Sequence, residues 1–162
     1  MIMNQVNGIV KKLVEILGSD PTLKRLLFYA EDDKNSPDPS LEQLINDRKI
    51  NDYPVVLNEQ DNFTFISVNH DNTVLAENNV YASTYKVSCG VSKDAWHTAD
   101  GNIRVMQMAD RIEELLSKQR IMNSTGEFAL QAITTVYWNS FVTGLSLIFQ
   151  VVEQGDINEV II

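Results

Sequence analysis

The sequence predicts an α+β fold. The expected sheet is mixed, mostly antiparallel and of about four strands. A central helix at about residues 101–119 packs on one face, and further helices lie at the N-terminus. Three observations predict this. Tyr85, Val87, Cys89 and Val91 alternate with Lys86, Ser88 and Gly90, the period-2 mark of a half-buried strand. After a polar connector, Ser92 to Asp100, the residues Val105, Met108, Ala109, Ile112, Leu115 and Leu116 recur at helical spacing. Arg104, Gln107, Arg111, Glu114 and Lys118 form the opposite, wet stripe of that helix. Two more apolar runs follow, Phe128 to Trp138 and Leu145 to Val152, and a helix with one apolar face needs a sheet to cover it.

The remaining elements follow in chain order. A first helix is expected from about Asn4 to Leu17, with Val6, Ile9, Val10, Leu13, Ile16 and Leu17 buried and Gly18 as its stop. Asp20-Pro21 opens a second, short helix, because Asp suits the N-cap and Pro the first helical position. Leu23, Leu26, Leu27 and Ala30 face inward there, and Glu31, Asp32 and Asp33 end it in an acidic patch. Pro37 and Pro39 mark a loop, followed by a third short helix from Ser40 to Asp47. Tyr53 to Leu57 reads as a short extended segment with Pro54 at its start or on an edge. Phe63 to Val68 is rich in β-formers and apolar on both faces, so it is expected to be covered on both. Asn69 to Asn79 is polar, carries turn signals at Asp71-Asn72 and Asn78-Asn79, and reads as a mobile loop. Asn123 to Gly126 is a turn, and the last two strands reverse near Asn139 to Gly144. Gly155 and Asp156 break the last strand before the apolar tail Ile157 to Ile162. That tail either folds back on its own sheet or docks on another subunit.

The chain is read as a single domain, 1–162. It comprises a helical part (1–50), an α+β core (51–152) and a tail (153–162). At 162 residues with 44% hydrophobic content it can bury one core without staples. The net charge of -9 and pI of about 4.6 argue against gripping nucleic-acid phosphates or an anionic membrane. The N-terminus is not read as a signal peptide, because Lys11 and Lys12 interrupt its apolar run. No apolar window is long enough to span a bilayer. The expectation is a soluble, non-secreted protein.

Chemistry-bearing constellations are weak. Cys89 lies near His97, Asp94 and Asp100 in sequence, and a nucleophilic thiol needs a base within hydrogen-bond reach. Cys89, the only cysteine, is expected to point into the core as a small hydrophobe, while His97 sits in the connector. His70 and His97 lie on different loops, so no metal-ligand spacing is formed. The acidic run at Glu31 lacks the alternating oxygens and central glycine of a calcium loop. The seven glycines are scattered and make no phosphate loop. The reading is therefore no enzyme, no cofactor and no metal. Trp138 is expected in the core or at the sheet rim. Trp96, in a polar connector, is the better interface candidate.

The order of elements resembles the tail terminator (tail completion) and related neck proteins of tailed bacteriophages. The resemblance covers roughly residues 50 to 152. It rests on Tyr85 to Val91, on the helix Ile103 to Leu116, and on the closing strands ending Gly144 to Val152. In that family a strand leads through a connector into an A-D-x-I-x-x-L-L-like helix, which Ala109, Asp110, Ile112, Leu115 and Leu116 match. The longer helical N-terminal part and the tail after Gly155 depart from it.

The resemblance implies a virion protein of the neck, assembled in the host cytoplasm as a ring, usually a hexamer. The ring would cap the tail tube protein, stop its polymerisation and present a surface to the head connector or adaptor. DNA would pass through the lumen without specific binding, and no membrane is involved. A head-side adaptor of the neck, or a small acidic protein-binding adaptor, is the alternative. Candidate interface residues are Trp96, His97, Asn72, Asn79, Ile157, Val160 and Ile161. On the net charge, some of Glu31, Asp32, Asp33, Asp71 and Glu77 are expected to face the lumen or rim, where negative charge repels phosphate.

Overall fold

In the computed structural model, residues 2–31, 35–122 and 126–154 are described. The order of elements is α1 (Ile2–Ser19), α2 (Pro21–Phe28), α3 (Leu41–Asn46), β1 (Ile50–Asn51), β2 (Phe65–Leu75), β3 (Val80–Ser92), a 3-10 turn (Lys93–Ala95), α4 (Arg104–Leu116), β4 (Ala129–Tyr137) and β5 (Val142–Gln154). The fold is α+β, with helices on a mostly antiparallel sheet of order β1-β2-β3-β5-β4. Only β1 runs parallel to its neighbour, pairing Ile50 with Ile66 and Asn51 with Ser67.

The helices start where the sequence places their caps. The Asp20 carboxylate accepts the Leu23 N–H at 3.0 Å, and the Ser40 hydroxyl accepts the Gln43 N–H at 3.1 Å. α1 runs past its expected stop. Gly18 lies inside the helix, buried, because a side chain there would collide with Leu41.

The main core lies between one face of the sheet and the layer of α1 and α4. Ile9, Leu13 and Leu17 of α1 and Val105, Met108 and Ile112 of α4 meet Tyr85, Val87, Cys89, Leu147 and Phe149 of the sheet. A second, smaller core holds Val55, Phe65 and Val142, with Leu57, Phe63 and Trp138 against it. Phe65 packs directly on Gly90, where a Cβ would sit 2.6 Å from its ring. All of Phe65 to Val68 is buried, as its two-sided apolar pattern requires.

The sheet is mixed and mostly antiparallel as expected, with a fifth strand because Ile50–Asn51 pairs with β2. Tyr53 to Leu57 lies outside the sheet, and its Val55 covers the small core. Asn69 to Asn79 is not a loop: β2 continues to Leu75, and the reversal into β3 occupies 76–79. The Asn78-Asn79 turn signal holds: both residues take left-handed φ values, 62° and 59°, which Asn tolerates. Asp71, by contrast, marks a bulge between His70 and Asn72. The reversal between β4 and β5 falls at 138–141, so Gly144 is a strand residue.

A further correction concerns Arg104, expected on the wet stripe of the central helix. It is 2% exposed. As the first residue of α4, it donates from Nε to the Ala95 carbonyl (2.7 Å), from Nη1 to Leu26 (2.8 Å) and from Nη2 to Ala30 (2.6 Å). It thereby satisfies carbonyls at and just beyond the end of α2, which a helix terminus leaves without partners.

Candidate assembly surface

The thiol and the histidines do not converge on a reactive centre. Cys89 is buried, its Sγ 3.6 Å from the Leu145 carbonyl, and burial pushes the thiol up to about 12. A thiol held that high is protonated at neutral pH and is not a nucleophile. His97 is exposed beyond the end of β3. The carboxylates near it are used structurally: Asp94 accepts from Asn62 at 2.9 Å, and Asp100 accepts from Thr98 at 2.6 Å and Asn102 at 3.1 Å. His70 instead faces Thr73 (2.7 Å) and packs edge-on against Tyr85. Among the described residues no three His, Cys, Asp or Glu side chains are grouped to hold a metal ion, and no helix is long and apolar enough to cross a membrane.

A buried polar group does stand out, at the α1 end of the sheet. Glu153 is 2% exposed, and neither of its carboxylate oxygens has a hydrogen-bond partner; nor has the Tyr85 hydroxyl. Tyr81, opposite Glu153 across the strands, donates its hydroxyl to Gln5 of α1. Burial pushes the Glu153 carboxyl above the usual range, and the facing Tyr81 hydroxyl offsets part of that rise. Burial also raises both tyrosines.

The surface features with the most physical content are the sheet's edges. β4 is an outer strand, and its sequence ALQAITTVY contains no charge and no proline. Ile133 is 47% and Tyr137 79% exposed. Long edges normally carry charges, prolines, bulges or covers that block further pairing; among the described residues β4 has an irregularity between Leu130 and Ala132 but no charge, proline or cover. At the other side, β1 covers only Ile66 and Ser67, which leaves the outer edge of Asn69–Leu75 open, with Val74 and Leu75 exposed. Sequence reading missed Ile133, Tyr137, Val74 and Leu75 as surface candidates. The available signal for β4 was a run of nine residues, Ala129–Tyr137, with no charge and no proline.

The residues singled out from sequence fall at two ends. Asn72, Asp71, Asn79 and Glu77 are all exposed on the β2–β3 hairpin, where Asp71 lies 3.8 Å from Lys86. Trp96, His97 and Glu31 lie beyond the opposite end of β3. Asp71 lies beside Tyr85, midway along β3, and Glu77 beyond its start, so at about 3.3 Å per residue Glu31 is roughly 20 Å from Asp71 and roughly 40 Å from Glu77 along the sheet. They do not form one acidic patch. Trp96 is half-buried against the main core and so is less of a surface anchor than its polar neighbours suggest. Asp32, Asp33, Ile157, Val160 and Ile161 lie outside the described residues, as does most of the 123–126 turn.

Fold and surface together define an acidic α+β protein whose sheet, among the described residues, is open at both edges. The chain belongs to the YomW family, which it matches over residues 20–151. That stretch begins at the Asp20 cap and ends inside β5, so it takes in all five strands except the last three residues of β5. Membership points to a phage-derived protein. No curated protein matches the chain.

Proposed function

We propose that this YomW-family protein is a structural component of a tailed-phage neck, a tail terminator that assembles as a ring, caps the tail tube and offers a surface for head attachment. The phage-derived family and the strand–helix–strand–strand order support the reading. The observation that carries it is the β4 edge, uncharged and without a cover among the described residues, on a chain of net charge -9. A protein that acts alone gains nothing from leaving such an edge uncovered, whereas a ring subunit needs one. On this reading the mechanism is geometric. A tube grows through head-to-tail contacts that stay open until a layer binds the last copy and presents no equivalent surface.

The test is direct. The purified protein is added to the polymerising tail tube protein of the same phage, and tube length and end structure are followed by negative-stain imaging. Growth is expected to stop, with a ring of several chains at one tube end. Tubes that elongate unchanged, beside a protein with the mass of a single chain, would overturn the reading.

A further inference from the structure

We propose that copies of this chain join edge to edge, the outer edge of β4 in one copy pairing with the outer edge of Asn69–Leu75 of β2 in the next. The inference deepens the ring reading and rests on it only for the number of copies that assemble.

Strand direction makes the contact possible. β2 is antiparallel to β3, β3 to β5, and β5 to β4. β4 therefore runs opposite to β2. A second copy set beside the first in the same orientation brings its β2 antiparallel to the first copy's β4, and the alternation continues without a break. The contact joins unlike edges, so it is heterologous and closes into a ring or runs on as a filament. Sheet twist of roughly 20–25° per strand supplies curvature.

Charge selects the occupant. Two copies at -9 repel each other, so a self-contact is favoured where charge is absent. β4 has none, and the open part of β2 carries one acid, Asp71, which faces Lys86 of its own chain. β1 fixes the level of the contact. It occupies the edge at Ile66 and Ser67, so an incoming strand must lie along Asn69–Leu75. Around its bulge at Asp71 that stretch gives about four backbone hydrogen bonds. The registers place Asn69 level with Ala132 and Leu75 beyond Ala129, so neighbouring copies are offset along the strands by about 20 Å to set the exposed Val74 and Leu75 beside Ile133 and Tyr137.

The experiment uses two double variants of the full chain. Ile133→Lys with Thr135→Lys charges the β4 edge; Asn72→Lys with Val74→Lys charges the β2 edge. Both change net charge equally, and circular dichroism checks their fold. Sedimentation is measured over a wide concentration range. Each variant alone is expected to need at least about tenfold higher concentration than the wild type to assemble. A mixture of the two is expected to form a one-to-one pair and stop, since each retains one intact edge. If only the β4 variant is impaired and mixing changes nothing, the contact is β4 to β4 across a two-fold and the proposal is overturned. If both variants assemble as the wild type does, the edges are not the interface, and continued tube capping would leave the ring reading standing. A wild type that stays monomeric throughout also overturns the proposal. Amide hydrogen exchange on the wild type gives an independent readout: 69–75 and 129–137 must gain protection together as concentration rises, and protection of only one overturns the proposal.

Discussion

Two carboxylates of this protein respond to pH in opposite directions. Glu153 is buried without a partner, beside Tyr81 and Tyr85, and its carboxyl is raised above the ordinary value of 4.5. The folded state holds that proton more tightly than the unfolded chain. Its contribution is therefore fully present at low pH and is lost as pH rises through the raised folded value. Glu153→Gln keeps the shape without the charge. It is expected to raise stability at pH 7 by on the order of 1 kcal/mol and to flatten the fall above pH 4.5, as read by thermal melts across pH. Asp20 behaves the other way. Burial alone would raise its carboxyl, but the Arg111 guanidinium, at 2.6 and 3.1 Å, and the Leu23 N–H hold it below its usual value. Its stabilisation is present above the ordinary Asp range and disappears as pH falls through the lowered value. Asp20→Ala is expected to cost about 2 kcal/mol at pH 7, the helix cap being about half, and progressively less as pH falls through the lowered value, as read in denaturant titrations.

At the scale of elements, backbone proximity decides which glycines are replaceable. A Cβ at Gly144 would overlap the Cys89 carbonyl oxygen of the paired strand, and neither backbone can move without breaking the β3–β5 ladder. Gly144→Ala is expected to cost at least about 3 kcal/mol. Gly8, inside α1, faces only the Met122 side chain at 3.6 Å. Gly8→Ala is expected to stabilise by about 0.5–1 kcal/mol, measured in the same denaturant series. Neither outcome is visible in the sequence, where both are isolated glycines. What was legible there was periodicity. The strand at Tyr85–Val91 and the stripe of α4 follow from spacing alone, and the Asp20-Pro21 and Ser40 starts follow from cap chemistry. β2 was cut short because Asn69–Asn72 looks like turn sequence, yet pairing with β3 satisfies its backbone. Arg104 was misread because helical spacing places it on the polar stripe, and only the third dimension reveals α2's free carbonyls there. The open edges were illegible for the same reason: an edge is a property of strand order, and no local pattern encodes which strand comes last.

For the whole molecule, the sheet is covered unequally. On one face the helices bury it along most of its length. On the other, the segment bearing Val55, Leu57 and Phe63 covers one end, beside Gly90 and Gly144. The two tryptophans happen to divide between these cores, Trp96 against the larger and Trp138 against the smaller, 5.1 Å from the Phe65 ring. Each is thus an intrinsic optical probe of a different half of the interior. With Trp96→Phe and Trp138→Phe variants, the emission of the remaining indole reports one core at a time. Coincident unfolding curves are expected, because Phe65 and Ile66 are consecutive in one strand and serve both. Should the Trp138 signal shift at lower denaturant than the Trp96 signal, the small core would be a separately melting lid, and the molecule would respond to stress in two stages.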